Sequence, residues 1–289
     1  CTAVLGESGS GKTTLCRTLI GLHPNYSGTV ALDGTPLEKR ARSRALEHRR
    51  VMQYVFQNPY ESLNPRQTVW QILAEPLEIH GLARSPHEKA ALIKSALSDA
   101  GLKPPEKFLH RYPDDLSGGQ RQRVVIASAL ILNPKLLVAD EPVSMLDVSV
   151  RAEILNLLRD LRDKRGITIL YITHDLATAG FFTDRIAVMY LGRIVEIGTT
   201  AEVLQQPKHP YTRALLSVVP VPNPRRRRKR EILRGKIPNP IDLPSGCRFH
   251  PRCPDAVDLC REIDPTLLEI APHHCAACIR LQGLSEHDH

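Results

Sequence analysis

Residues Gly6 to Thr13 read GESGSGKT, which fits G-x-x-x-x-G-K-[ST] at every position, and the apolar Ala3-Val4-Leu5 stands just before them. A strand that ends in a glycine-rich turn and runs into a helix presents backbone N–H groups at a helix N-terminus, where the dipole also favours negative charge. Lys12 adds a cation for the outer phosphates of a polyphosphate, and Thr13 a hydroxyl for its Mg²⁺. A glycine-rich turn matching by chance is the alternative, and the strand before and helix after count against it. This segment therefore points to an α/β fold whose ligand sits at the ends of the strands.

The remaining pattern agrees with such a fold. Ser85, Pro86 and Glu88 give a helix start within a largely helical stretch from about 68 to 113. Lys135 to Asp140 (KLLVAD) reads as a buried strand, residues 150–166 as an amphipathic helix closed by Gly166, and ITILYITHD as a second buried strand. RIAVMYLGRIVEIG reads as a hairpin about Leu191-Gly192. Strands separated by helices predict a largely parallel sheet. Past Gly198 the sequence turns proline-rich, which predicts a linker or extended arm carrying a small cysteine-bearing module.

Composition excludes some roles. With 42% apolar and 24% charged residues the chain has the balance of a globular protein, and no run of about 18 apolar residues suggests a membrane span. No signal-peptide pattern is present, so a cytoplasmic location is expected. The net charge of +8 is concentrated in RRRRKR, Arg225 to Arg230; without those six, 33 basic residues face 31 acidic ones. A basic face over the whole domain is not implied. The run reads as a solvated segment, with anionic lipid headgroups as a second reading and nucleic acid as a third, since no aromatic residues interleave with it.

Asp140-Glu141 in LLVADEP supplies a second chemical group. Apolar residues set Asp140 at the C-terminal end of a buried strand, where it can hold Mg²⁺, and Glu141 can orient and deprotonate a water. Two solvated acids at a strand end are the bland alternative. With LSGGQ (Leu116 to Gln120) before it, and SMLD and YITHD after it, the chain resembles the nucleotide-binding subunit of ATP-binding cassette (ABC) transporters from Cys1 to about Gly198.

That resemblance implies a P-loop NTPase of the ABC cassette type, α/β with a helical subdomain at about 68–130, and domains at 1–204 (cassette) and 205–289 (extension). It implies that ATP contacts Gly6, Glu7, Ser8, Gly9, Ser10, Gly11, Lys12, Thr13 and Thr14. Mg²⁺ would take Thr13, Asp140 and Gln57, the glutamine of YVFQNP. Glu141 would be the catalytic base and His174 the switch histidine beside the γ-phosphate. Two cassettes of this family pair head to tail, so Ser117, Gly118, Gly119 and Gln120 would cover ATP held by a partner, and Asp147 would cross the interface. A homodimer or heterodimer is expected. Met145 stands where the family often has alanine. The chain opens inside the first motif, so the aromatic residue that would stack on adenine is expected to lie upstream.

VFQNPYESLNPRQTV, DEPVSMLDVSV, HPYTRALLSVVP and GCRFHPRCPDAVDLC narrow the resemblance to the oligopeptide/dipeptide importer branch. It implies uptake of peptides, or of a related solute such as a nickel chelate, through two membrane permeases fed by an extracytoplasmic solute-binding protein. The subunit would then lie on the cytoplasmic face of the membrane, with no nucleic acid expected. Five of the seven cysteines crowd the tail. Cys247, Cys253, Cys260 and Cys278 resemble ligands of a [4Fe-4S] cluster, with Cys275 competing for the fourth place; zinc and free or disulfide-linked thiols stay open. Cys16 reads as a small core residue. The rival from another class is a soluble ABC ATPase acting on DNA or ribosomes, which usually carries long insertions between phosphate loop and signature. Half of a fused double cassette is a further reading.

Overall fold

A computed structural model describes residues 1–23, 25–36, 42–219, 233, 235 and 238–283, with the side chains of 42–45 outside that set. The basic run at 225–230 lies outside the described residues. In chain order the elements begin with β1 (Thr2–Leu5), α1 (Lys12–Leu19), the short β2 (Ala31–Leu32) and β3 (Thr35–Pro36), α2 (Arg42–Val51) and β4 (Met52–Val55). There follow α3 (Pro59–Ser62), α4 (Val69–Ile79), α5 (Pro86–Asp99), α6 (Gly118–Leu130), β5 (Leu136–Asp140), α7 (Val148–Arg165) and β6 (Thr168–Thr173). The last are α8 (Leu176–Phe182), β7 (Arg185–Tyr190), β8 (Arg193–Thr199), α9 (Thr200–Gln205), α10 (Pro210–Ser217), β9 (Leu268–Ala271) and β10 (His274–Ala276). Among the described residues no helix is long and apolar enough to cross a membrane.

The chain packs as two compact units, Thr13–Leu170 and Cys1–Lys12 with Tyr171–His289. In the first, β4 and β5 pair in parallel, with Tyr54 opposite Val138. Helices α4, α5 and α6 pack on one another, burying Leu73, Leu77, Ile93, Leu97, Val124 and Ile126. Their starts follow the sequence: the Ser85 hydroxyl accepts the Glu88 N–H at 3.1 Å, and Thr68 with Gln71 closes a capping box on α4. The Asp147 carboxylate caps α7, Gly166 ends it at φ +66°, and Ile154, Leu155, Leu158 and Leu161 form its buried stripe. Truncating one such leucine to alanine costs about 2–5 kcal/mol.

In the second unit β1 pairs in parallel with β7, while β7–β8, β8–β10 and β10–β9 are antiparallel. The β7–β8 turn has positive φ at both Leu191 (+41°) and Gly192 (+79°), the type I′ geometry that suits strand twist. The tail is therefore more than an arm: β10 adds a strand to the β7–β8 hairpin. Tyr190, Tyr211 and Phe249 form a fully buried aromatic cluster with centroids 4.7–5.4 Å apart, fastening the cysteine segment to β7 and α10. Buried Glu196 on β8 accepts the backbone N–H of Lys208 (2.8 Å) and His209 (2.9 Å) and meets His274 Nε2 of β10 at 2.7 Å. Sequence periodicity missed β9 and β10 because each is short and its neighbours lie far away in the chain.

Candidate functional site

The phosphate loop leaves β1 and closes on its own lysine. Lys12 Nζ donates to the Gly6 carbonyl at 2.8 Å and the Glu7 carbonyl at 2.9 Å, and lies 3.4 Å from Ser10 Oγ. Ser10 is buried and its carbonyl accepts the Gly192 N–H at 2.8 Å. Gly6 is required by close approach: a Cβ there would stand 2.3 Å from the Met189 carbonyl oxygen. Ser8, Gly9 and Thr14 are exposed, Thr13 is half-buried, and Lys12 is buried. The Glu7 side chain points to Arg252 in a two-pronged ion pair, 2.7 and 3.2 Å, so the loop-facing part of this residue is its main chain.

The carboxylates at the end of β5 sit in the other unit. Asp140 is buried and its Oδ2 accepts the Tyr54 hydroxyl at 2.6 Å. Burial and the Asp140 carboxylate together push the Tyr54 phenol far above its ordinary range. The parallel register of β4 and β5 brings the two side chains together. Nothing in the sequence marks Tyr54 beyond its place three residues before Gln57. Gln57 Nε2 donates to Glu141 Oε2 at 3.0 Å, so two predicted groups 84 positions apart meet. Glu141 has φ +46°, a conformation that costs a non-glycine residue about 1–3 kcal/mol. The N–H and hydroxyl of Ser144 both donate to the Glu141 carbonyl, at 3.1 and 3.0 Å, and hold that turn.

Ser117 caps α6. Its hydroxyl accepts the Gln120 N–H at 3.3 Å while Gln120 Oε1 accepts the Ser117 N–H at 3.1 Å. Gly118 and Gly119 open the helix, and a Cβ on Gly119 would meet Val150 at 2.5 Å. The Arg121 guanidinium lies 4.5 Å from the Tyr60 ring centroid. Asp147 Oδ1 accepts the Val150 N–H at 2.9 Å and the Ser149 hydroxyl at 2.8 Å, and these bonds, the backbone one foremost, hold its carboxyl below the ordinary range. His174 is exposed at the end of β6, where Asp175 caps α8 by accepting the Ala177 N–H at 2.8 Å.

Cys247, Cys253, Cys260 and Cys278 all line one cavity of about 20 Å³, together with Phe249 and Ile279. Cys275 does not line it; it lies on β10, opposite Ile197. Burial pushes the Cys247 thiol up to about 11 and Cys253 up to about 12, and raises Cys278. Among the described residues no three His, Cys, Asp or Glu side chains are grouped to hold a metal ion. The four predicted cysteines thus line one cavity, but the described residues form no metal-binding group, and the predicted iron–sulfur cluster is not supported by this arrangement.

Residues 1–144 match the family described as ABC transporter, and residues 195–260 match the one described as oligopeptide/dipeptide transporter, C-terminal region. A Brucella ovis protein named for peptide import and ATP binding is 48% identical over 277 residues, covering 96% of this chain and 86% of its own. A Bacillus subtilis protein named for oligopeptide transport and ATP binding is 46% identical, covering 95% of this chain and 84% of its own. Among solved structures, the ATP-binding cassette MJ0796, in a dimeric post-hydrolysis state bound to ADP and Pi, superposes with TM-score 0.61 at 31% identity over 69% of this chain and 84% of its own. The cassette cbiO1 from Clostridium perfringens, part of the ABC transporter complex cbiONQ, gives 0.64 at 31% identity over 71% and 79%.

Proposed function

The chain belongs to the ABC transporter family of ATP-binding subunits, and on that premise we propose that it hydrolyses ATP to drive peptide uptake through a pair of membrane permeases. The observation that carries the reading is the cluster at the end of β5, where Gln57 meets Glu141 and buried Asp140 is fixed by Tyr54. Hydroxyl, carboxylate and amide oxygens are the donors Mg²⁺ prefers, so Thr13, Asp140 and Gln57 fit the ion. When bound, Mg²⁺ neutralises charge on the outer phosphates. The backbone N–H groups of Gly6 to Thr13 cradle the phosphates, and Lys12 exchanges its loop carbonyls for phosphate oxygens. Glu141 then accepts a proton from the water that His174 orients.

Ser117, Gly118 and Gly119 form the N-terminal turn of α6 and, in this reading, cap ATP on a second cassette, as the dimeric state of MJ0796 supports. We take residues 1–204 as the cassette and 205–289 as the extension. Docking on permeases would hold the subunit at the cytoplasmic membrane face, supplied by a solute-binding protein outside. Glu141→Gln should cut turnover at saturating ATP by about 100-fold or more while ATP binding survives. Rapid turnover by that variant would overturn the assignment, and stimulation by DNA or ribosomes in place of peptide-loaded binding protein would move the chain to a soluble role.

For the cavity, four thiols suit a soft, thiophilic group. We assign it an iron–sulfur cluster with zinc as the alternative. A void of about 20 Å³ holds roughly one water, so a four-iron cluster requires the lining to open. Iron with labile sulfide, or zinc, in anaerobically purified protein separates the two.

A further inference from the structure

Glu7 is the only acidic residue between Gly6 and Thr13, in a loop whose other features favour an anion. A bare carboxylate at that point would oppose a triphosphate, because like charges a few ångström apart repel strongly where water is scarce. The fold compensates it from far along the chain. Arg252 Nη1 and Nη2 donate to the two oxygens of Glu7, and the arginine side chain is 8% exposed against 25% for the glutamate. The guanidinium lies 5.8 Å from the Tyr190 ring centroid. The main chain of Glu7 is held as well: its N–H donates to the Tyr211 hydroxyl at 3.0 Å and its carbonyl accepts Lys12 Nζ.

A second arginine of the same segment braces the other side of the loop. Arg248 Nη1 donates to the Leu191 carbonyl, and the next residue, Gly192, donates its N–H to Ser10. Arg248 follows Cys247 and Arg252 precedes Cys253 in the chain, and both cysteines line the cavity. The cysteine segment therefore reaches the phosphate loop directly through Arg252 and indirectly, by way of the β7–β8 turn, through Arg248.

We propose that Arg252 is a positioning residue for ATP: it neutralises Glu7 and fixes the shape of the phosphate loop, tying nucleotide affinity to the cysteine-bearing segment. This rests on reading Gly6 to Thr13 as the ATP loop. The test uses the full chain with its partner subunits, and measures the dissociation constant of a fluorescent ATP analogue, the KM for ATP, kcat and the melting temperature. Arg252→Met should weaken binding and raise KM about tenfold while kcat at saturating ATP stays within about twofold. Adding Glu7→Gln to Arg252→Met should bring binding back to within about threefold of the parent, because the stranded carboxylate is then gone. A contact that serves folding alone lowers the melting temperature of Arg252→Met but leaves KM and the dissociation constant unchanged in protein that stays folded. Should Arg252→Met melt below the assay temperature, Arg252→Lys carries the test: it keeps the charge, loses the paired geometry, and should weaken binding about threefold. Unchanged affinity in the folded arginine variants, or a double variant no better than Arg252→Met, overturns the proposal. Lys12→Ala binding ATP as tightly as the parent would instead overturn the ATP-loop reading itself.

Discussion

The phosphate loop as far as Lys12 and the cysteine cavity lie in the same packed unit, yet they are encoded in opposite ways. The loop is written in consecutive residues, because strand, glycine turn and helix start generate the anion cradle locally. The cavity gathers Cys247, Cys253, Cys260 and Cys278 around Phe249, and long-range contacts, among them those of Phe249 with Tyr190 and Tyr211 and the pairing of β10 with β8, bring that segment to the sheet. A local motif can be read before the fold is known; an assembled one depends on the fold for its meaning. The loop is nevertheless not self-sufficient, since Met189, Gly192, Tyr211 and Arg252 all press on it from the C-terminal part of the chain.

Gly6→Ala is the harshest way to break that contrast. The added methyl would need the space of the Met189 carbonyl oxygen, 2.3 Å away, and neither backbone can yield without moving β7 or the loop. ATP affinity should fall about 100-fold or more, the scale at which an ångström of misplacement acts. The cysteine cavity should keep whatever metal it holds. Nucleotide titration beside metal analysis of the same sample checks both halves, and retained ATP affinity would mean that the loop tolerates the displacement.

Exchanging cysteines tests the assembled site with a smaller effect. Cys278→Ser should remove most of the bound iron or zinc and lower the melting temperature by several degrees, since metal binding and folding are linked. Cys275→Ser, on β10 outside the cavity, should do neither. Equal metal loss from both would replace the fourth ligand, and no metal in the parent would leave the cavity a set of partly buried thiols.

Much of the fold was legible because its elements announce themselves locally: the Ser85 cap, the Gly166 stop and the Leu191-Gly192 turn each appear where their chemistry predicts. The signature was legible through its family resemblance, and the structure adds that Ser117 and Gln120 close a capping box there. What sequence reasoning could not supply is partnership across the chain. Cys278 and Cys275 are three residues apart and chemically identical, and only the pairing of β10 with β8 turns them to different surroundings. Arg252 looked like one more cation until the fold set it against Glu7, and no periodicity singles out His274, Leu268 or their strands.

Tyr54 is the mildest test of how far a legible motif leans on an unread neighbour. Its hydroxyl is 2.6 Å from Asp140 Oδ2, a hydrogen bond to a charged group inside the protein, and it holds the carboxylate in one orientation. Tyr54→Phe keeps the ring beside Phe56 and removes only the donor. The stability loss should be about 1–2 kcal/mol. The Mg²⁺ concentration needed for half-maximal ATP turnover should rise a few-fold, because a ligand freed to rotate must be ordered again by the ion. Denaturant midpoints and Mg²⁺ titrations of turnover measure the two effects separately. A stability loss with an unchanged Mg²⁺ requirement would mean that Tyr54 joins β4 to β5 and that Asp140 finds its orientation without it.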